Sequence, residues 1–229
     1  MTRNVRTIGS LALVLALGAA AACGGGDGGG GGGPPTGTQT GTVSGRVSHG
    51  AAGVAGVTLS VAGGGSATTD AAGNFSIANV TTGARTVAIA MPTGFITANA
   101  ADGTSREVAV SAGQTATANF DLKRGVVVTA SGTSFSPQTV TVPSGGTVRW
   151  VNGGGGAHTV TPNAGQAGAW ASANLPTGAS FEHTFGTTGT FTYICIPHEA
   201  MGMTGSVVVG ASSVAPPETS PPSNPPYGP

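Results

Sequence analysis

Near the C-terminal end, Tyr193-Ile194-Cys195-Ile196-Pro197-His198-Glu199-Ala200-Met201-Gly202-Met203 brings a thiol, an imidazole and two thioethers within nine residues. A second imidazole, His158, stands upstream in Asn152-Gly153-Gly154-Gly155-Gly156-Ala157-His158-Thr159-Val160. Soft sulfur ligands combined with imidazoles select copper, and two His and one Cys in a plane with a weak axial thioether form an electron-transfer site. Zinc also takes Cys and His, but in a tetrahedral set without thioether. A lone Cys beside one His is usually only a small buried hydrophobe. Cys, His and Met at this spacing, with a glycine-flanked His upstream, tell against that reading.

The donors need strands and tight loops to position them. Phe191, Tyr193 and Cys195 alternate with Thr192 and Ile194, so they share one face of a strand. Pro197 cannot continue a ladder and turns the chain, which lets His198 return beside Cys195. Gly202 allows a tight closure, and a further strand is expected around Gly205-Ser206-Val207-Val208-Val209. Upstream, Thr139-Val140-Thr141-Val142 alternates with period 2. Pro143-Ser144-Gly145-Gly146 turns the chain, and Thr147-Val148-Arg149-Trp150-Val151 returns. No helical periodicity of useful length occurs, so the expected class is all-β.

At these residues the C-terminal half resembles the cupredoxins, and its ligand loop is especially similar to the plastocyanin and pseudoazurin group. The pattern Cys-x-x-His-x-x-x-x-Met is met by Cys195, His198 and Met203, and the upstream ligand position, after a Trp-x-Asn strand end, by His158. The resemblance implies a Greek-key β-sandwich with one type 1 copper ion at one end. Cys195 would be the strong ligand, His158 and His198 would complete the plane, and Met203 would be the long axial ligand. Met201 would then be surface packing beside His198. Some family members place Asn after the first His, where it braces the ligand loops; Thr159 stands there in this chain, and whether it braces is left open. His183, between Phe181 and Phe185, reads as packing or a surface residue.

Residues 41–122 read as a separate β-sandwich of short apolar runs between turn signals. A strand is expected over 54–61, and residues 68–77 read as strand, tight turn, strand around Asp70 and Gly73. The residues Gly45-x-Val47, Gly53-Val54-Ala55-Gly56-Val57 and Thr69-Asp70-x-x-Gly73-Asn74-Phe75 resemble the carboxypeptidase regulatory-like (transthyretin-like) sandwich, whose motifs speak of fold more than function. His49 reads as an exposed loop residue. Lys123-Arg124-Gly125 mark the boundary, and residues 124–211 form the copper-binding domain. Residues 212–229, rich in Pro and Ser, carry too little apolar surface to fold.

Residues 1–23 read as an export signal: Arg3 and Arg6, an apolar run, then small residues before Cys23. The ending resembles a bacterial lipobox, with Ala20 where Leu is preferred, and implies a lipid on Cys23. Ordinary cleavage nearby would instead leave a soluble exported protein. Residues 24–40 hold ten glycines and form a flexible tether. Only two cysteines occur, and with Cys23 lipidated or removed Cys195 has no partner. Metal ligation is one way to keep a lone thiol in a disulfide-forming compartment.

Charged residues make up 7% and cancel, eight basic against eight acidic, so no basic patch for nucleic acid exists. Four histidines in all are too few for a multicopper enzyme. The expectation is an exported, lipid-anchored copper protein at the periplasmic or cell-surface face of a bacterial membrane. It would pass electrons by outer-sphere transfer to a transient redox partner and would not be an enzyme. Copper delivery, or recognition through the N-terminal sandwich, are the competing readings.

Overall fold

The computed structural model describes residues 37–166 and 170–211. The expected export signal with Cys23, the tether up to residue 36 and the tail over 212–229 lie outside the described residues. The first part of the chain gives β1 (Thr40–His49), β2 (Ala52–Gly53), β3 (Thr58–Val61), β4 (Ser66–Thr68), β5 (Asn74–Thr81), β6 (Gly83–Ile89), β7 (Phe95–Thr97), β8 (Ser105–Val110) and β9 (Thr115–Thr117). The second gives β10 (Phe120–Ser131), β11 (Ser134–Ser136), β12 (Thr139–Pro143), β13 (Gly146–Gly154), β14 (Thr161–Pro162), β15 (Ser180–Phe185), β16 (Gly189–Ile194) and β17 (Thr204–Gly210). Among the described residues the one helical element is a 3-10 turn, η1 (Ile196–Met201). The class is all-β, as expected.

Two apolar cores form. In the first, β1 pairs with β5 and β9 opposite the β4-β3-β6-β8 sheet, and Val43, Leu59, Phe75, Val87 and Phe120 fill the space between them. The second core is a sandwich of β15-β13-β10 against β12-β17-β16-β14. Val128 and Trp150 from one sheet meet Val140, Tyr193 and Val207 from the other. Each of these aromatic side chains, fully removed from water, contributes on the order of 2–3 kcal/mol.

The expected strand over 54–61 is only half formed. Ala55–Gly56 turn, with Gly56 at φ 74°, and the strand starts at Thr58. The buried Thr69 hydroxyl causes this: it accepts from the Val57 N–H and donates to the Val54 carbonyl, holding the segment in a loop. The tight turn after Thr69 does form. Asp70 Oδ1 accepts from the N–H groups of Ala72 and Asn74, and Gly73 takes φ 80°. Its flanking strands part into different sheets, β4 beside β3 and β5 beside β1. The Pro143–Gly146 turn likewise returns the chain into the facing sheet: β12 pairs with β17 and β13 with β10 and β15. Lys123–Gly125 lie inside the continuous strand β10, midway between the two cores.

Candidate metal centre

The ligand loop starts where β16 runs out of partners. Tyr193 and Ile194 pair with Gly205 and Thr204, and Cys195 follows as the residue before η1. Tyr193 lies across Gly205, where a Cβ would come within 2.3 Å of the ring, so only glycine lets the strands close here. Pro197 opens the 3-10 turn, suiting the position where no N–H partner is needed. The His198 N–H bonds the Cys195 carbonyl at 3.0 Å, and the Gly202 N–H bonds the Glu199 carbonyl at 2.9 Å. Gly202 ends the turn at φ 77° in the left-handed region, and the chain doubles back. The Cys195 N–H then meets the Met203 carbonyl at 3.0 Å, placing the first and last residues of the loop side by side.

His158 is held by a different device. Gly154, Gly155 and Gly156 all have positive φ, which a run of ordinary residues would not adopt. The buried Asn152 amide organises them: its Nδ2 donates to the carbonyls of Gly156 and Leu175, both at 2.8 Å, and its Oδ1 accepts from the Gly154 N–H. His158 itself forms an isolated bridge with Leu175. Its Nε2 lies 3.3 Å from the Gly154 carbonyl. That carbonyl can only accept, so Nε2 is the donor of this contact and Nδ1 is the ring nitrogen turned toward the thiol.

The two devices meet at the thiol. Cys195 Sγ lies 3.6 Å from His158 Nδ1 and 3.3 Å from His198 Nδ1. The three ligand atoms all lie within 4.8 Å of one another. Cys195, His158 and Met203 are 0% exposed, His198 is half-buried and Met201 is 59% exposed. Two imidazole nitrogens and a thiol converging in a buried pocket, beside a buried methionine, match the donor chemistry of copper.

Thr159 ties the loops together. Its Oγ1 accepts from the Ile196 N–H at 2.9 Å, and its own N–H points at Cys195 Sγ at 3.4 Å. The bracing that the sequence left open is therefore present, through a hydroxyl. Beneath lies an aromatic layer in which Trp150 contacts Trp170, Tyr193 and Phe181. Burial pushes the Tyr193 hydroxyl up to about 12. His183 stacks on Trp170 with ring centroids 5.4 Å apart, as the packing role expected, and burial lowers its pKa. His49 is exposed, edge-on to Phe95. The holding role of Asn152 escapes sequence reading; the signal for it was the Trp-x-Asn strand end.

A family model for copper-binding proteins of the plastocyanin/azurin family matches residues 124–210. Plastocyanin of Scenedesmus fuscus is 36% identical over 84 residues, which is 33% of this chain and 85% of that protein. Halocyanin of Natronomonas pharaonis is 39% identical over 89 residues, 37% of this chain and 55% of that protein. Among solved structures, a purple cupredoxin from Nitrosopumilus maritimus aligns with 37% of this chain and 99% of its own, at 25% identity and a TM-score of 0.34. The first of these relatives is matched over most of its length, the family model covers the segment that carries the converging donors, and the chain belongs to the plastocyanin/azurin family of copper-binding proteins, with copper as its cofactor.

Proposed function

We propose that this protein is an exported electron carrier whose single type 1 copper is held by His158, Cys195, His198 and Met203. The convergence of three ligand atoms within 4.8 Å carries this reading. Copper, when bound, supplies a one-electron couple. The chain supplies the rest. The Thr159 N–H steadies the thiolate sulfur, the Gly154 carbonyl fixes the His158 tautomer, and the two loops are tied through the Thr159 hydroxyl. A site held this firmly needs little rearrangement between oxidation states.

His198 is the group through which electrons enter and leave by outer-sphere transfer, because it alone of the two imidazoles reaches the surface. Ile196, 57% exposed, and Met201 frame it with apolar surface suited to a weak, transient redox partner. Burial of Cys195 and His158 favours retention of the metal over delivery, and the chemistry offered is that of a carrier and not of an enzyme. The N-terminal segment supports export and a lipid on Cys23, which would hold the protein at a bacterial membrane. A Cys23→Ser variant that stayed in the membrane fraction would remove the lipid from this account.

The copper reading is tested by the visible spectrum of the purified chain after adding Cu(II). An intense band near about 600 nm, bleached by reductant and absent in Cys195→Ser, is expected. Met203→Leu should alter the band and Met201→Leu should leave it. Absence of the band from the unaltered chain would defeat the reading.

A further inference from the structure

Strand β10 serves both cores without a gap. Residues 120–122 pair with β1, residues 122–124 with β7, and residues 125–131 with β13. No residue between the two halves is free of a ladder, so the usual location of a hinge, a few unconstrained backbone positions, is missing from β10. At the crossing point Gly125 is pressed between neighbours: a Cβ there would come 2.4 Å from the Thr147 carbonyl and 2.9 Å from Ile96.

A second lock spans the same junction. Arg149, 7% exposed, sits on β13 but sends its Nη1 and Nη2 to the Thr97 hydroxyl and carbonyl at 2.9 and 2.7 Å, on β7 of the first half. Its Nε donates to Glu182, which also takes Lys123 Nζ at 2.6 Å. Such a buried guanidinium, bonded on both sides, fixes geometry more than it adds stability.

The two strands also set a direction. β1 runs from Thr40 to His49 and lies parallel to the start of β10, overlapping it only at Val47–His49. β10 then continues to Ser131, which pairs with Gly154 of the loop that carries His158. The root of the N-terminal tether and the metal end are thus at opposite poles. At strand rise they are separated by at most about 60 Å, less whatever twist removes.

We infer that the N-terminal sandwich is a rigid arm, locked at β10 and Arg149, that presents the metal end at the pole farthest from Thr40, where β1 begins. The partner this suits is a redox protein standing off from the surface that holds the N-terminal segment. That last step rests on the copper reading and on the proposed lipid at Cys23; the arm rests on neither.

The test uses the full metal-free chain with Cys23→Ser and spin labels on Gln39→Cys and Thr133→Cys, both exposed; Cys195 is buried and stays unlabelled. Electron–electron distance measurement should give one narrow peak between about 40 and 60 Å. A broad distribution, or a peak below about 40 Å, would overturn the arm. Arg149→Met should at least double the peak width. Should that variant unfold, as circular dichroism would reveal, Thr97→Val removes one contact and should widen the peak measurably. An unchanged width in a folded variant would overturn the lock. The visible band of the copper-loaded chain is read separately, so an arm without a band sinks only the copper reading.

Discussion

The two histidines of the metal centre are placed by opposite means. His198 is positioned by its own neighbours: Cys195 three residues before, a 3-10 turn, and Gly202. His158 is positioned by groups far along the chain, with Asn152 reaching Leu175, Leu175 bridging His158, and Gly155 lying against the Gly132 backbone. A local device can form early and fail alone; a distributed device stands or falls with the sandwich around it.

Asn152→Ala is the sharpest way to break this contrast. It removes three side-chain hydrogen bonds, those to the Gly156 and Leu175 carbonyls and from the Gly154 N–H, and should cost on the order of 3 kcal/mol, read by chemical denaturation, with copper affinity falling further. The two glycine loops can be compared directly. Gly155→Ala suffers both a positive φ of 86° and a Cβ only 2.6 Å from the Gly132 nitrogen, so roughly 2–3 kcal/mol is expected. Gly202→Ala meets open space and should lose only about 1 kcal/mol, its backbone term. Equal losses at both positions would erase the distinction. Thr159→Val, which cuts the bond between the devices, should cost about 1 kcal/mol and weaken copper about tenfold, while Thr159→Ser should restore most of both.

The smallest effect should come from acid. Burial works to raise the Glu182 pKa, but bonds and charge from Lys123 and Arg149 outweigh it and hold the carboxylate below its usual range. Its contribution is therefore present at neutral pH and disappears as pH falls through that lowered value. Because Arg149 lies on β13, the distributed device shares this sensitivity. Glu182→Gln should flatten the loss of stability below about pH 5, an effect of about 1 kcal/mol.

This contrast also explains what the sequence revealed. The spacing Cys195–His198–Met203 is short-range, so its turn, its closing glycine and the strands on either side were legible in the residues themselves. His158 was legible as a His after glycines and, by resemblance, as the position that follows a Trp-x-Asn strand end. The amide that shapes those glycines points to a carbonyl 23 residues away, which no local pattern encodes. The first half of the strand expected over 54–61 failed for the same reason, because Thr69 captures Val54 and Val57 from 12 or more residues off. The alternation of 139–142 and 147–151 identified two strands but not that they would part into facing sheets, since a turn signal carries no record of which sheet receives the next strand.

The burial of Cys195 has a consequence for the protein before any metal arrives. A thiol oxidises, or exchanges into disulfides, in proportion to its exposure and its thiolate character. With the sulfur enclosed at 0% exposure, oxidants and other thiols must wait for the ligand loop to open. With the export proposed above, the chain can therefore stay chemically intact in an oxidising compartment, and the lifetime of its metal-free form is set by how often that loop breathes.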